Sequence, residues 1–210
     1  MKLYRYFLIV LAVVVLDQTV KLWVYFDLAQ NHIQEINVIG EWFKIHYLLN
    51  PGMAFGLKWD ATYGKMLLTL FRIIAAFGIG YYLVHLFKKG VPSGLLICMS
   101  LVLAGAVGNV IDSTFYGVLL DNAPYNAPTP WFNGQVIDMF FFPLLDGTYP
   151  GWIPFIGGDD FLFFSYVFNV ADSSVFLVVV FMLIFQKKFF KSENKDEAPV
   201  KDEKVSEATI

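Results

Sequence analysis

Charged residues are scarce in this chain, and cysteine is almost absent. Of the 210 residues only 16% are Asp, Glu, Lys or Arg, whereas about 25% is usual in a soluble domain. About a third of these charges follow Phe185, so the body before it is less polar still. The single cysteine, Cys98, excludes a disulfide framework and a cysteine-rich metal site. The low charge content and the net charge of −3 exclude an ordinary soluble enzyme, a nucleic-acid-binding protein and a disordered chain.

Motifs of several familiar catalytic sites are missing as well. The chain has no H-E-x-x-H zinc motif, no G-x-S-x-G nucleophile elbow and no glycine-rich phosphate loop. Cys98 has no histidine near it in the predicted topology and is expected to be a small buried side chain. Carboxylates therefore remain as the reactive groups, and we expect neither a metal ion nor another cofactor.

Long apolar stretches are what the chain does have, with 57% hydrophobic residues. A helix needs about 20 mostly apolar residues to cross the hydrocarbon of a bilayer. The windows that meet this length are 6–24, 66–87, 95–111 and 163–185. They predict a membrane protein whose all-α core has four transmembrane helices, formed by residues 1–186. The charged residues 187–210 predict a disordered cytoplasmic tail.

Lysine and arginine predict the orientation of these helices, because they concentrate in cytoplasmic loops. They precede the first window, occupy positions 88 and 89 between the second and third, and follow the fourth. The segment 27–65 has three of them, and the segment 113–160 has none. Both termini are therefore predicted to be cytoplasmic, and the two segments to face outward, toward a periplasm or its equivalent.

The two outward segments differ in their predicted structure. Branched and aromatic residues between Ile36 and Leu49 are typical of short strands that end at a turn at Asn50. We therefore expect a small periplasmic β element in 27–65. The segment 113–160 is rich in proline and aromatic residues and predicts a long outward loop. This loop either lines the membrane interface or closes over a site as a lid.

Ionisable residues in or beside the apolar windows are candidates for function, since burying one in lipid costs at least about 2.5–3.5 kcal/mol on an insertion scale. In the predicted topology, those of the first, third and fourth windows fall at one level near the outer leaflet, together with one aspartate of the outward loop. The members of this polar layer are Asp17, Gln18, Lys21, Asn109, Asp112, Asp138, Asn169 and Asp172. Snorkelling or helix capping explains any single member equally well. It fits Asp172 poorly, because the helix must continue past it. Arg72, in the second window, either snorkels or pairs with an acid of this layer.

Asp138 and Asp172 are the carboxylates best placed to act as a pair. Two carboxylates that share a site of low dielectric cannot easily both ionise, so one pKa falls and the other rises. Such a pair can activate water with one member and protonate the substrate with the other, as in aspartic proteases. An ion or proton pathway is the alternative use of the same layer.

Five short motifs occur in order along the membrane body, each at the predicted depth and side. They are Asp17-Gln18-x-x-Lys21, Asn50-Pro51-Gly52-Met53-Ala54-Phe55-Gly56, Gly108-Asn109-Val110-Ile111-Asp112, Val136-Ile137-Asp138 and Phe168-Asn169-Val170-Ala171-Asp172. Each motif alone is weak, but together they cover nearly the whole membrane body. In these motifs the chain resembles lipoprotein signal peptidase (signal peptidase II), a membrane aspartyl peptidase of bacteria.

The resemblance implies an aspartic endopeptidase of the bacterial cytoplasmic (inner) membrane with Asp138 and Asp172 as its catalytic dyad. Its substrates would be prolipoproteins that carry a diacylglyceryl group on a cysteine, cut just before that cysteine. It also implies a monomer whose partners are these substrates and membrane lipid, and the composition and net charge already argue against nucleic acid as a partner. The residues that it implies at the substrate site are Asn50, Gly52, Asn109, Asp112 and Asn169, with Asp17 and Lys21 in support.

The chain departs from the family pattern at two places. The family usually has an arginine directly after G-N-x-x-D, where this chain has Ser113. That group is either absent or supplied by another residue, with Lys21 as one candidate. The stretches from Asp112 to Asp138 and from Asp138 to Asp172 are also longer than the family usually shows.

Two other functions stay open on the residues alone. A small channel or transporter would conduct through the carboxylates, but it should show polar groups at mid-membrane and internal symmetry, and the sequence shows neither. A non-catalytic assembly factor would bind partner helices through the polar layer. It would tolerate Asn at positions 138 and 172, since amides still form hydrogen bonds between helices.

Overall fold

The computed structural model describes residues 2–52, 63–163 and 166–190, without the side chains of 145–146, 160–163 and 186–190. Residues 53–56 of the second motif lie outside the described residues, as does most of the predicted tail. The chain divides into two units, 1–178 and 179–210. All of the residues predicted at the site belong to the first unit.

Within the described ranges, three helices are long and apolar enough to cross a membrane: Tyr4–Ala29, Gly64–Lys88 and Ser93–Leu119. The predicted windows 6–24, 66–87 and 95–111 lie inside them, which confirms the class of membrane protein. Their parts are α1 (Tyr4–Val24) with a π-helical turn (Tyr25–Ala29), α2 (Gly64–Lys88), and α3 (Ser93–Ile111) with a second π-helical turn (Asp112–Tyr116) and the short α4 (Gly117–Leu119).

The fourth apolar window is only partly helical. Helix α5 runs over Val170–Phe190 and thus ends inside the predicted tail, and its apolar part, Val170–Phe185, is shorter than the other three helices. It begins at Val170 and not near residue 163 as predicted, because residues 160–163 and 167–168 form strands. A short apolar run fits a buried strand as well as a helix, and hydropathy does not separate the two.

A four-stranded antiparallel sheet joins distant parts of the chain. Its strands are β1 (Glu35–Ile39), β2 (Phe43–Asn50), β3 (Val136–Phe141) and β6 (Val167–Phe168), and they lie in the order β1-β2-β3-β6. A separate hairpin pairs β4 (Leu145–Thr148) with β5 (Asp160–Phe163). The β element predicted between residues 27 and 65 is confirmed. The expectation of a loop for 113–160 is wrong at β3 and β4, and also at residues 113–119, where the helix that begins at Ser93 continues. In the sheet, Leu48 of β2 lies opposite Asp138 of β3.

Two apolar clusters hold the sheet and the helices in place. The first packs α1, α2 and α3 together through Tyr6, Val10, Leu83, Leu86, Leu96, Leu103 and Ala104. The second packs the end of α1 and the turn after α3 against β2 and β3, through Val24, Leu28, Ile45, Tyr116, Ile137 and Met139. Because Ile137 and Met139 are buried in this second cluster, the backbone on both sides of Asp138 is fixed.

Two glycines of α3 let the neighbouring helices approach closely. A Cβ at Gly105 would lie 2.6 Å from the carbonyl oxygen of Ala171, and a Cβ at Gly108 would lie 2.7 Å from Oδ2 of Asp17. Small residues at such contacts are typical of helices that pack inside membranes. The polar layer of α1 therefore reaches the start of α5 only because position 108 has no side chain.

Candidate active site

Asp17, Lys21 and Asp112 form a buried group of charges between α1 and the turn after α3. Asp17 and Lys21 lie four residues apart on one face of α1, with 2.8 Å between Nζ and Oδ2. Nζ of Lys21 also lies 2.7 Å from Oδ2 of Asp112. All three side chains are fully buried. Each charge thus has a partner, which burial in a medium of low dielectric requires.

Gln18 and Tyr116 extend this group by hydrogen bonds. Nε2 of Gln18 donates to Oδ1 of Asp112 at 2.9 Å, and the hydroxyl of Tyr116 donates to Oε1 of Gln18 at 3.0 Å. The backbone N–H of Ile137 donates to Oδ2 of Asp112 at 3.4 Å. Asp112 therefore connects α1 with strand β3, where Asp138 follows Ile137.

Asn109 connects the buried charges to Asp172. Its Oδ1 accepts a hydrogen bond from Nζ of Lys21 at 3.1 Å, and its Nδ2 donates to Oδ1 of Asp172 at 2.9 Å. The lysine thereby fixes which end of the amide is the oxygen. As a result, the NH₂ group of Asn109 must point at the carboxylate of Asp172.

Asn169 caps helix α5 and contacts both predicted catalytic aspartates. Its Oδ1 accepts the backbone N–H of Asp172 at 2.9 Å, which is the usual hydrogen bond of an N-cap residue. Its Nδ2 donates to Oδ1 of Asp138 at 2.6 Å. The preceding N–H of the first turn, that of Ala171, donates to Oδ1 of Asp17 at 2.8 Å. The first turn of α5 is therefore held by the carboxylate of Asp17 and the amide of Asn169, and this amide is in turn bound to the carboxylate of Asp138.

The surroundings of Asp138 change the pKa of its carboxyl group. It is 1% exposed, and it accepts hydrogen bonds from Asn169 and, at 2.9 Å, from Nδ2 of Asn50. Burial raises the pKa of Asp138 to about 7, and the nearby charge of Asp172 adds to the rise, although the two amides oppose it. A carboxyl with this pKa can both give and take a proton near neutral pH.

A turn from Asn50 to Gly52 lies next to Asp138 and is bound by Arg72. The backbone N–H of Gly52 donates to Oδ1 of Asn50 at 2.7 Å. From α2, Nη2 of Arg72 donates to the carbonyl oxygen of Gly52 at 2.9 Å, and Nη1 donates to Oγ of Ser113 at 3.2 Å. Arg72 was expected either to snorkel or to pair with an acid of the polar layer, but these two hydrogen bonds go to a carbonyl oxygen and a hydroxyl.

The residues predicted at the site are thus joined in one hydrogen-bonded network. They are Asp17, Lys21, Asn50, Gly52, Asn109, Asp112, Asp138, Asn169 and Asp172. Lys21 pairs with Asp17 and Asp112, and the cation that reaches Ser113 is Arg72. Sequence reasoning missed Tyr116 and Ser113 as members, since both lie in the segment 113–160 that was predicted as an outward loop. In the part of the chain that the structure describes, no three His, Cys, Asp or Glu side chains form a group that could hold a metal ion.

Comparison with known proteins identifies the family to which this chain belongs. A family model described as signal peptidase (SPase) II matches residues 9–188. The chain belongs to the signal peptidase II family. This peptidase is 45% identical over 188 residues to the lipoprotein signal peptidase of Amoebophilus asiaticus, which covers 89% of this chain and 79% of the relative. It is 42% identical over 189 residues to the lipoprotein signal peptidase of Porphyromonas gingivalis, and this alignment covers 84% of this chain and 80% of the relative.

Two solved structures share the fold of this signal peptidase II family member. Both are of bacterial membrane enzymes and 26% identical to it, with TM-scores of 0.53 and 0.55. The first alignment covers 94% of both chains, and the second covers 88% of this chain and 93% of the other. The family is one of aspartic peptidases, so the enzyme class expected from the five motifs is confirmed. The chain is a multi-pass membrane protein of bacterial type.

Proposed function

We propose that this chain removes signal peptides from prolipoproteins and that Asp138 and Asp172 are its catalytic pair. The relatives of 45% and 42% identity are named lipoprotein signal peptidases. The observation that carries the assignment of the pair is the position of Asn169. One end of its amide binds the carboxylate of Asp138 and the other end binds the backbone of Asp172, so both acids are held by a single side chain.

Different surroundings support different roles for the two acids. Asp138 is buried and has a pKa raised to about 7, which suits the member that holds a proton before reaction. Asp172 is partly exposed, which suits the member that binds water.

The proposed reaction needs only these two carboxyl groups and one water molecule. Asp172 takes a proton from water, the water oxygen bonds to the scissile carbonyl carbon, and Asp138 gives its proton to the carbonyl oxygen. When the C–N bond breaks, the leaving amine takes the proton from Asp172. Asp138 recovers its proton from the collapsing diol, so the enzyme ends in its starting state.

We assign Asn50, Gly52, Asn109 and Asn169 to the substrate side of the site. A cavity of about 230 Å³ lies between α2, α3 and α5, with Arg72 and Asn109 as its polar lining and otherwise apolar walls. Such a groove suits an acyl chain or the apolar part of a signal peptide whose cut end reaches the amides. Asp112, expected from the motifs in the substrate site, is fully buried and paired with Lys21. These contacts support a structural role for Asp112, together with Asp17 and Lys21, in which it binds α1 to β3.

The proposed substrate is a prolipoprotein with a diacylglyceryl group on cysteine, cut just before that cysteine. We further propose that α5 is the fourth membrane helix, that the body is 1–186, that both termini are cytoplasmic and that the pair lies near the outer leaflet. This level would match the depth of a lipid-anchored cysteine in a translocated precursor. We propose a monomer that binds its substrate and membrane lipid but no nucleic acid.

The first test compares the wild type with Asp138→Asn and Asp172→Asn, all purified in detergent. Each is incubated with a diacylglyceryl-modified lipobox peptide and with its unlipidated twin, and cleavage is measured by mass. We expect wild-type cleavage of the lipidated peptide before the cysteine. In each variant it should fall by about 10⁴-fold or more, because an amide does not exchange the proton. Asp121→Asn, at an exposed position outside the network, is the matched control.

Each other result points to a different reading. Full cleavage by either Asn variant would mean that the pair is wrongly assigned. Equal cleavage of the unlipidated peptide would show that the enzyme does not need the diacylglyceryl group to recognise its substrate. A folded wild type that cleaves neither peptide, together with Asn variants that fold as well, would favour the assembly factor.

A further inference from the structure

We infer that Arg72 is a positioning residue that holds the turn from Asn50 to Gly52 against α3, and through this turn holds the amide of Asn50 on Asp138. The inference rests on the proposed function, since it concerns how the catalytic pair is oriented. Arg72 itself acts through other residues. Its role is carried by four successive hydrogen bonds.

The guanidinium of Arg72 connects the turn from Asn50 to Gly52 with Ser113, which follows α3 in the chain. Nη1 donates to Oγ of Ser113 at 3.2 Å, and Nη2 donates to the carbonyl oxygen of Gly52 at 2.9 Å. Ser113 is fully buried directly after Asp112. Because a guanidinium is planar and its donors point in fixed directions, the two bonds fix the distance between the turn at Gly52 and the π-helical turn that follows α3.

The turn passes this constraint on to Asp138. The N–H of Gly52 donates to Oδ1 of Asn50 at 2.7 Å, and Nδ2 of Asn50 donates to Oδ2 of Asp138 at 2.9 Å. Without Gly52 in place, the amide of Asn50 could rotate and present its oxygen to a carboxylate. With Gly52 in place, the NH₂ group is the end that faces Asp138.

Gly52 is shaped to accept the guanidinium. Its φ of +82° lies in the left-handed region that favours glycine. A Cβ at this position would lie 2.7 Å from Nη1 and 2.8 Å from Nη2 of Arg72. The glycine therefore both forms the turn and leaves the space that the arginine fills.

The departure from the family motif at Ser113 gains an explanation from this contact. A hydroxyl at position 113 accepts a hydrogen bond from a guanidinium that comes from α2. The family usually has an arginine directly after the aspartate of this motif. In this chain a guanidinium is also present at that place, beside Ser113, but it is that of Arg72 on α2. This relocation predicts that an arginine at 113 can replace one at 72.

The charge of Arg72 acts on the same carboxylates. It interacts electrostatically with Asp172, Asp112 and Asp138. Among the described residues, the other charged groups of this network and beside it include Asp17 and Lys21 on α1 and Lys65 on α2. A positive charge favours the ionised form of a carboxyl, so the loss of Arg72 should raise the pKa of Asp138. The limb of the pH profile that reports Asp138 should then move to higher pH.

The experiment uses the full chain in detergent and the lipidated peptide, with Arg72→Ser, the double variant Arg72→Ser/Ser113→Arg and Lys88→Gln. The control Lys88→Gln removes an exposed positive charge from the far end of α2. We expect kcat/KM to fall about 30-fold or more in Arg72→Ser, mainly through kcat, with the pH profile moved upward. The double variant should recover about tenfold of this loss and return the profile.

The outcomes separate this inference from the function on which it rests. A folded wild type that does not cleave the lipidated peptide overturns the proposed function. Wild-type cleavage with Arg72→Ser within about threefold of it overturns the inference alone. If Arg72→Ser cannot be purified folded, Arg72→Lys replaces it, because lysine keeps the positive charge but lacks the two NH₂ groups that bind Ser113 and Gly52 together. Loss of activity by Arg72→Lys without movement of the pH profile supports positioning, and full activity contradicts it.

Discussion

At the scale of single residues, the titration of Asp138 depends on side chains that lie far from it in the sequence. Burial on β3 and the charge of Asp172 raise the pKa of Asp138 to about 7. The amides of Asn50 and Asn169 work in the opposite direction, because they donate to the ionised carboxylate. The sequence marks Asp138 as a candidate, but its pKa is set by residues from three separate segments.

Removal of one amide should change the pH dependence in a defined direction. Asn50→Ala takes away a donor that lowers the pKa of Asp138, so this pKa should rise further. If Asp138 acts as the protonated member, the alkaline limb of kcat/KM should move upward by roughly half to one pH unit, as expected for a hydrogen bond of about 1 kcal/mol. The pH profile with the lipidated peptide measures this.

The control for this experiment is Asn37→Ala on strand β1. Asn37 donates to Glu41 at 3.1 Å in an exposed pair away from the network, so its removal should leave the pH profile unchanged. An alkaline limb that moves downward in Asn50→Ala would show that the amide does not act on the ionised form of Asp138.

At the scale of elements, the site forms where α1, α3 and α5 meet. Gly105 and Gly108 remove the side chains that would keep these helices apart. Asn169 ends the strand segment and begins α5, so that the first turn of the helix faces Asp17 and Asp138. The hydropathy of residues 163–168 predicted more helix here, because a cap is a local polar contact that hydropathy does not represent.

Gly108→Ala should destabilise the contact between the three helices. The new Cβ would lie 2.7 Å from Oδ2 of Asp17 and 3.1 Å from Cβ of Ala171. Overpacking of this kind costs about 1–3 kcal/mol. We expect a lower midpoint of thermal unfolding in detergent and reduced cleavage. Gly78→Ala on α2 is the matched control, because a Cβ there meets nothing within 4 Å. Equal unfolding midpoints for the two variants would contradict this role of Gly108.

At the scale of the whole molecule, the distribution of apolar surface agrees with a chain that lies in lipid. Ile74, Phe77 and Tyr81 of α2 are 70%, 77% and 76% exposed. In water such a surface would drive aggregation, whereas hydrocarbon solvates it. Buried charges such as Lys21 have partners inside the protein. In the described ranges, the outer face of α2 is therefore apolar, whereas charges such as that of Lys21 lie inside the protein at the site.

The proposed orientation predicts the labelling of single cysteines in intact cells. In a Cys98→Ala background, Trp152→Cys lies in the segment expected outside and Lys89→Cys in the turn expected inside. A membrane-impermeant maleimide should label position 152 in intact cells and position 89 only after the cells are opened. Both side chains are exposed, so burial does not explain a difference. The reverse pattern would invert the proposed topology.

The sequence by itself determined the membrane class, three of the apolar helices, the enzyme family and the candidate residues of the network other than Tyr116 and Ser113. These follow from composition, from run lengths and from short motifs, which are local properties of the chain. Only the tertiary structure decided the partners, such as Arg72 for Ser113 and Asn169 for both Asp138 and Asp172. It also decided that residues 136–141 and 167–168 are paired strands. The physical reason is that a hydrogen bond or a strand pair between distant segments depends on how helices and strands pack, and no local pattern encodes that packing.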